Sequence, residues 1–129
     1  MAEHNEIGKI GEKIVKDFLF RHGYIVICAN FWTKFGEIDL IAEKDKHLHF
    51  IEVKSVKVKS FDHVTSLHVK PEDNLTEKKW GKLVTSINIY LKNHYVSPET
   101  KWQIDLACVY IQTERRQGKV VLMDNVHKD

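Results

Sequence analysis

Asp39, Glu52 and Lys54 are the residues of this chain whose types and spacing suit a reaction. They lie in two short runs, Gly36-Glu37-Ile38-Asp39-Leu40-Ile41-Ala42 and Phe50-Ile51-Glu52-Val53-Lys54-Ser55. Two carboxylates can hold a hard divalent cation, Mg²⁺ or Mn²⁺, which takes oxygen ligands and completes its shell with water and phosphate. The backbone carbonyl of Val53 is a natural third ligand. A cation held in this way polarises a phosphoryl oxygen and presents a hydroxide-like nucleophile. The Lys54 amine can orient the attacking water or stabilise the pentacovalent state. The competing reading is a cross-strand acid–lysine pair on a half-exposed sheet, worth about 0.2–1 kcal/mol. Taken alone, an Asp followed by Glu-x-Lys is a common chance pattern.

Both runs must be strands for the chemistry to assemble. Side chains alternate along a strand, so Glu52 and Lys54 point the same way. The polar stretch Glu43-Lys44-Asp45-Lys46-His47 predicts a hairpin between them. A two-residue loop at Asp45-Lys46 sets Asp39 opposite Glu52, and a one-residue slip would send them to opposite faces. No Asn-Gly or Asp-Gly dipeptide pins that turn, so the register follows from the chemistry.

The remaining pattern supplies the supports. Asn5 can cap a helix running to about His22, stopped by Gly23. Ile7, Ile10, Ile14 and Phe18 make its apolar stripe, and Glu12 sits at the stripe's edge, where it can reach over the sheet. Tyr24 to Ala29 reads as a strand and Asn30 to Gly36 as a connector. Ser55 to Asp73 reads as a long loop or an irregular strand extension beside the site. Leu75 to His94 reads as a second helix capped by Asn74 or Thr76, with Trp80, Leu83, Val84, Ile87 and Leu91 facing the core. Ile104–Ile111 and Val120–Met123 are the last strands. The expected architecture is α/β, one mixed sheet of about five strands flanked by helices, in the order α-β-β-β-α-β-β.

At 129 residues the chain is expected to form one domain. Its 43% hydrophobic and 29% charged content is ordinary for a globular protein, and the net charge of +2 does not by itself demand nucleic acid. Distribution says more. Lys57, Lys59, Lys70 and Lys79 belong to a mid-chain lysine cluster that, beside a metal site, suits phosphate contacts. No apolar run approaches the roughly 20 residues of a membrane span, and the polar N-terminus is unlike a secretory signal. A cytoplasmic protein is expected, with Cys28 and Cys108 reduced and buried.

The local sequence around the acids is far more specific than the triplet. Gly-Glu-Ile-Asp-Leu-Ile-Ala followed by Ile-Glu-Val-Lys-Ser, behind a helix bearing Gly8 and Glu12, resembles the YraN-type family of uncharacterised bacterial proteins. That family belongs to the restriction-endonuclease-like superfamily, with the archaeal Holliday-junction resolvases. The resemblance covers nearly the whole chain and takes in Gly23, Asn30, Thr76, Lys79, the Leu83-Val84 pair and Asp105. It implies a nuclease core with Asp39, Glu52 and Lys54 as the catalytic set and Glu12 as an auxiliary metal or water ligand. Where the family usually carries an Arg soon after its catalytic Lys, this chain has Ser55 and Val56. Lys57 can supply that charge.

The expected function is therefore a metal-dependent nuclease acting on nucleic acid, DNA by family analogy. The rivals are a binding module that keeps the fold without turnover, and a protein-interaction subunit. A junction-cutting enzyme would need two sites and hence a homodimer. The histidines show no zinc-ligand spacing and are expected on surfaces or loops. Asp105 is expected to be a structural acid, with Lys79 as a plausible neighbour.

Overall fold

The structure is a computed structural model and describes residues 2–61 and 75–127. Helix α1 (Ala2–Arg21) leads into strands β1 (Ile25–Thr33), β2 (Gly36–Lys44) and β3 (His47–Lys57). Helix α2 (Glu77–Asn93) precedes strands β4 (Lys101–Gln112) and β5 (Gln117–Met123). The strands form a single sheet in the order β1-β2-β3-β4-β5. All neighbours are antiparallel except β3 and β4, which run parallel. A parallel pair cannot be joined by a hairpin, and α2 lies in the crossover. The expected α/β order and mixed sheet are those of the molecule.

Each helix covers a different face. Val15 and Leu19 of α1 pack with Leu40, Ala42, Ile51, Ala107 and Val109. Leu83, Ile87 and Tyr90 of α2 pack with Ile38, Ile41, Phe50 and Ile104. β4 is buried on both sides from Ile104 to Ile111, which is why its sequence reads as a nearly continuous apolar run. Fully burying a side chain such as Leu19 or Ile51 stabilises the fold by roughly 1.5–3 kcal/mol.

Several boundaries differ from expectation. Asn5 does not cap α1, because the helix already runs from Ala2. Its C-terminus is as expected, with Gly23 at φ +86° and the Tyr24 N–H donating to the Leu19 carbonyl at 2.9 Å. β1 runs on through the stretch expected as a connector, where Phe31 and Trp32 pair with Ile38 and Glu37. Aromatic residues favour the pleated surface, and Asn30 at φ 55° bends the strand without ending its ladder. Of the two readings of the segment after Lys54, the strand extension holds for Ser55, Val56 and Lys57, which belong to β3 and pair with β4. The rest of that expected loop beyond Phe61 lies outside the described residues. Of the two caps considered for α2, Thr76 takes the role, its hydroxyl accepting from the Lys79 N–H at 3.2 Å.

Cys28 and Cys108 are free thiols. Cys108 is buried as expected, but Cys28 is only half-buried, being on the edge strand β1.

Candidate active site

The β2–β3 hairpin turns at Asp45 and Lys46, both with positive φ (52° and 65°), and Lys44 pairs with His47. This is a type I′ geometry, whose twist matches the strands it joins, reached here without glycine. The resulting register carries Leu40 opposite Ile51, where the β2–β3 ladder stops. One step further, Asp39 and Glu52 face one another. The strands part there, and Asp39 Oδ2 accepts the Val53 N–H at 2.8 Å. A carboxylate thus replaces the backbone carbonyl that a continued ladder would have offered.

Asp39 and Glu52 stand close enough for their carboxyls to interact, which raises Glu52 and favours the charged form of Asp39. Burial, then the neighbouring Asp39 charge, pushes the Glu52 carboxyl up to about 8. Burial raises Asp39 as well, opposed by the Val53 N–H. Glu37 is raised by burial and by the charges of Asp39 and Glu12. Two half-buried carboxyls this close repel one another when both are charged.

The pair opens onto a groove of about 970 Å³ at the end of the sheet. α1 contributes Gly8, Lys9, Glu12, Lys13 and Lys16 to its lining, β3 contributes Val53, Lys54 and Ser55, and α2 contributes Lys79. Gly11 allows α1 to come this close. A Cβ built there would stand 1.9 Å from Ser55 Oγ and 3.0 Å from Ser55 Cβ, so a larger residue would force the serine hydroxyl to turn aside or the helix to shift. Glu12, one residue on, accepts from Asn30 Nδ2 at 2.9 Å and pairs with Lys16 at 3.4 Å.

Asp39, Glu52, Val53, Lys54, Glu12 and Lys79 therefore share one groove, though not on equal terms. Glu12 lines it without joining the acid pair. Among the described residues, the only group of three or more potential ligand side chains within 4.8 Å of one another is His49, Asp105 and Asp124. The Lys79 charge on α2 opposes the rise at Glu52, and the Lys54 charge opposes the rise at Cys108. Lys57 and Lys59 lie beyond the groove's lining, and the Lys59 carbonyl accepts from Gln112 Nε2 at 2.6 Å. Lys70 lies outside the described residues. The groove's other cations, Lys9, Lys13 and Lys16, escaped the sequence reading, although their i, i+4, i+7 spacing puts them on one side of a helix.

Asp105 is fully buried and, contrary to the neighbour expected for it, pairs with His49 and not with Lys79. His49 Nδ1 lies 2.7 Å from Asp105 Oδ2, and Asp105 Oδ1 accepts from Gln103 Nε2 (2.8 Å) and the Asn125 N–H (2.9 Å). Gln103 also donates to Asp124. His49 is thus a buried residue and not a surface histidine, because the acid beside it on β4 needs a donor.

A helix–sheet–helix α/β protein with an acid pair and lysines in an open groove is the class that fold and site define. The sequence profile of Uncharacterised protein family UPF0102 matches residues 11–109, and the chain belongs to that family. It is 39% identical to a UPF0102 protein of Campylobacter lari over 116 residues, covering 90% of this chain and 88% of that one. A UPF0102 protein of Campylobacter hominis is 37% identical over 121 residues, 94% and 93% of the two chains. One from Sulfurimonas denitrificans is 32% identical over 109 residues, 76% and 92% of the two chains. Among the described residues no helix is long and apolar enough to cross a membrane.

Proposed function

We propose that this protein is a metal-dependent nuclease with a restriction-endonuclease-like core, hydrolysing phosphodiester bonds in nucleic acid, DNA in the first instance. The observation that carries the reading is the Asp39–Glu52 pair, two mutually repelling carboxyls held where the β2–β3 ladder parts, in a groove bordered by lysines. That donor set fits Mg²⁺ or Mn²⁺. It is all oxygen, and a divalent charge would relieve the repulsion between the two carboxylates.

Asp39, Glu52 and the Val53 carbonyl would hold the ion, which supplies Lewis-acid activation of phosphate and water. The Val53 N–H fixes the Asp39 carboxylate, so its orientation does not depend on the ligand. Glu12, steadied by Asn30 and Lys16, would orient a water at the groove's far wall. Lys54 would stabilise charge developing on the phosphoryl oxygens, and Lys79 would place a phosphate beside Glu52. Lys9, Lys13 and Lys16 would contact the flanking backbone.

The test is a cleavage screen with Mg²⁺, Mn²⁺ or chelator over duplex, single-stranded, flap and four-way-junction DNA and over RNA. Metal-dependent scission abolished by Glu52→Gln supports the reading. Salt-sensitive binding with no cleavage under any metal would leave a binding module in its place.

A further inference from the structure

We propose that the hollow between the β1–β2 turn and α2 is a nucleobase subsite, which takes the unpaired nucleoside attached to the scissile phosphate. The inference rests on the nuclease reading of the groove and names its substrate class.

The hollow, of about 190 Å³, adjoins the groove and shares Glu37, Glu52 and Lys79 with it. A phosphate held beside Glu52 therefore leaves its nucleoside at the mouth of the hollow. Pockets for drug-sized ligands measure roughly 300–1,000 Å³, so this one has room for a single base and not for a base pair. Its apolar wall is Phe35, Leu75 and Leu83, and Phe35 is 42% exposed. Its cations, Lys79 and Lys82, lie three residues apart on one side of α2, and both are exposed. An aromatic side chain with a cationic border holds an unpaired base and its phosphates, whatever the base.

The walls are tied together. Thr33 Oγ1 donates to the Gly36 carbonyl at 3.0 Å, accepts from the Phe35 N–H at 3.1 Å and shares a 2.8 Å hydrogen bond with Ser86 of α2. Thr33 and Ser86 are both buried. A hydroxyl has one proton, which Thr33 gives to Gly36, so Ser86 is the donor between the two. The turn is thereby fixed to the helix, the hollow exists before a ligand arrives, and little ordering cost falls on binding.

Charge selects the occupant. An apolar side chain of another protein would fill the wall and leave Lys79 and Lys82 unanswered, whereas a nucleotide meets both. A base inside continuous duplex is already stacked and must be extruded to reach such a hollow. The structure therefore points to substrates that offer an unpaired nucleotide next to the scissile bond, such as single strands, flaps or branch points.

The experiment is an NMR titration of the isotope-labelled full chain, in Mg²⁺, with deoxyadenosine monophosphate, which has no diester to cut, and in parallel with inorganic phosphate. The nucleotide should shift the amides of Phe35, Leu75 and Leu83, and phosphate should not. Phe35→Ala and Lys82→Ala should each weaken nucleotide binding about tenfold. Trp32→Ala, which lies outside both hollows, should leave it unchanged. In chelator, Phe35→Ala should also weaken binding of a labelled single strand of about fifteen nucleotides about tenfold, while a blunt duplex stays within about twofold. The replaced side chains are exposed, and unchanged melting temperatures will show that the variants fold. Equal shifts from phosphate and nucleotide would make the hollow a phosphate site and overturn the proposal. Equal losses on single strand and duplex, or none on either, overturn it too, while a wild type that still cleaves stays a nuclease. A wild type that neither binds nor cuts any nucleic acid overturns both readings. If the same amides move with protein concentration alone, a second copy fills the hollow and the subsite is wrong.

Discussion

Two acidic clusters meet β3 only a few residues apart, one at His49 and the other at Glu52, and they are built on opposite principles. Asp105 is fully buried, yet each of its oxygens has a donor, from His49, Gln103 or the Asn125 backbone. Asp39 and Glu52 are less buried, yet each has the other's carboxyl as a partner. The first cluster is finished by the fold. The second keeps two repelling carboxyls side by side, and it faces an open groove. Acid content alone would rank the two alike; the repulsion between neighbouring carboxyls, present in the second and absent from the first, separates them.

The sharpest way to break the comparison is substitution at each cluster with activity and stability read together. Glu52→Gln should lower metal-dependent cleavage at least a thousandfold, on the order of 4 kcal/mol of transition-state stabilisation. Its melting temperature should hold or rise, because the substitution removes a repulsion. A sharply lower melting temperature would mean that the pair is structural. Asp105→Ala should do the reverse, costing about 3 kcal/mol of stability by stranding several buried donors. Chemical denaturation measures it, and an unchanged midpoint would remove the distinction drawn here.

Gly11→Ala probes how the groove is assembled. The added methyl meets Ser55 Oγ, so a loss of about 1–3 kcal/mol is expected, with reduced cleavage as Glu12 is carried outward. Adding Ser55→Gly should restore much of both. If it restores neither, the close approach is not what sets the helix position.

The pH response should differ as well. Glu52 has a folded value of about 8, against 4.5 when unperturbed. The folded state therefore binds more protons than the unfolded state between those values, and its stability falls as pH rises through that window. In chelator the melting temperature should drop from pH 5 to pH 8, and Glu52→Gln should flatten the slope. Mg²⁺ should raise the melting temperature more at pH 8 than at pH 5, since cation and proton compete for the same oxygens. Equal stabilisation at both values would place the cation elsewhere, with His49, Asp105 and Asp124 the next candidate.

The smallest expected effect concerns the thiols. Burial pushes Cys108 up to about 11, and it should label slowly in native protein, whereas half-buried Cys28 should label faster. Equal rates would contradict the burial difference across the sheet.

The fold was legible in the sequence wherever a local pattern decided it. The apolar stripe of α2, the buried run of β4 and the polar turn at Asp45-Lys46 each leave a periodic or compositional trace. So did the spacing that puts Asp39 across from Glu52. The stripe of α1, by contrast, is centred on Val15 and Leu19 and leaves Ile10 exposed. What stayed hidden depends on partners distant in sequence. Nothing local says that His49 will be drawn inside by Asp105, since the two meet only when β3 and β4 pair. Nothing near Glu52 reveals that a cation from α2, Lys79, twenty-seven residues on, acts on its carboxyl. The cations of α1 were visible as a stripe, but which way the stripe faces depends on the close contact at Gly11.

One consequence follows from the parting of β2 and β3. The Val53 amide proton is bonded to a carboxylate and not to a carbonyl, so its chemical shift and exchange rate depend on what else Asp39 holds. A ligand on Asp39 would withdraw electron density from the acceptor, and the amide would register it even when no bond is cut. This single backbone position is therefore a built-in spectroscopic gauge of occupancy. It can be read in isotope-labelled protein before any substrate has been identified.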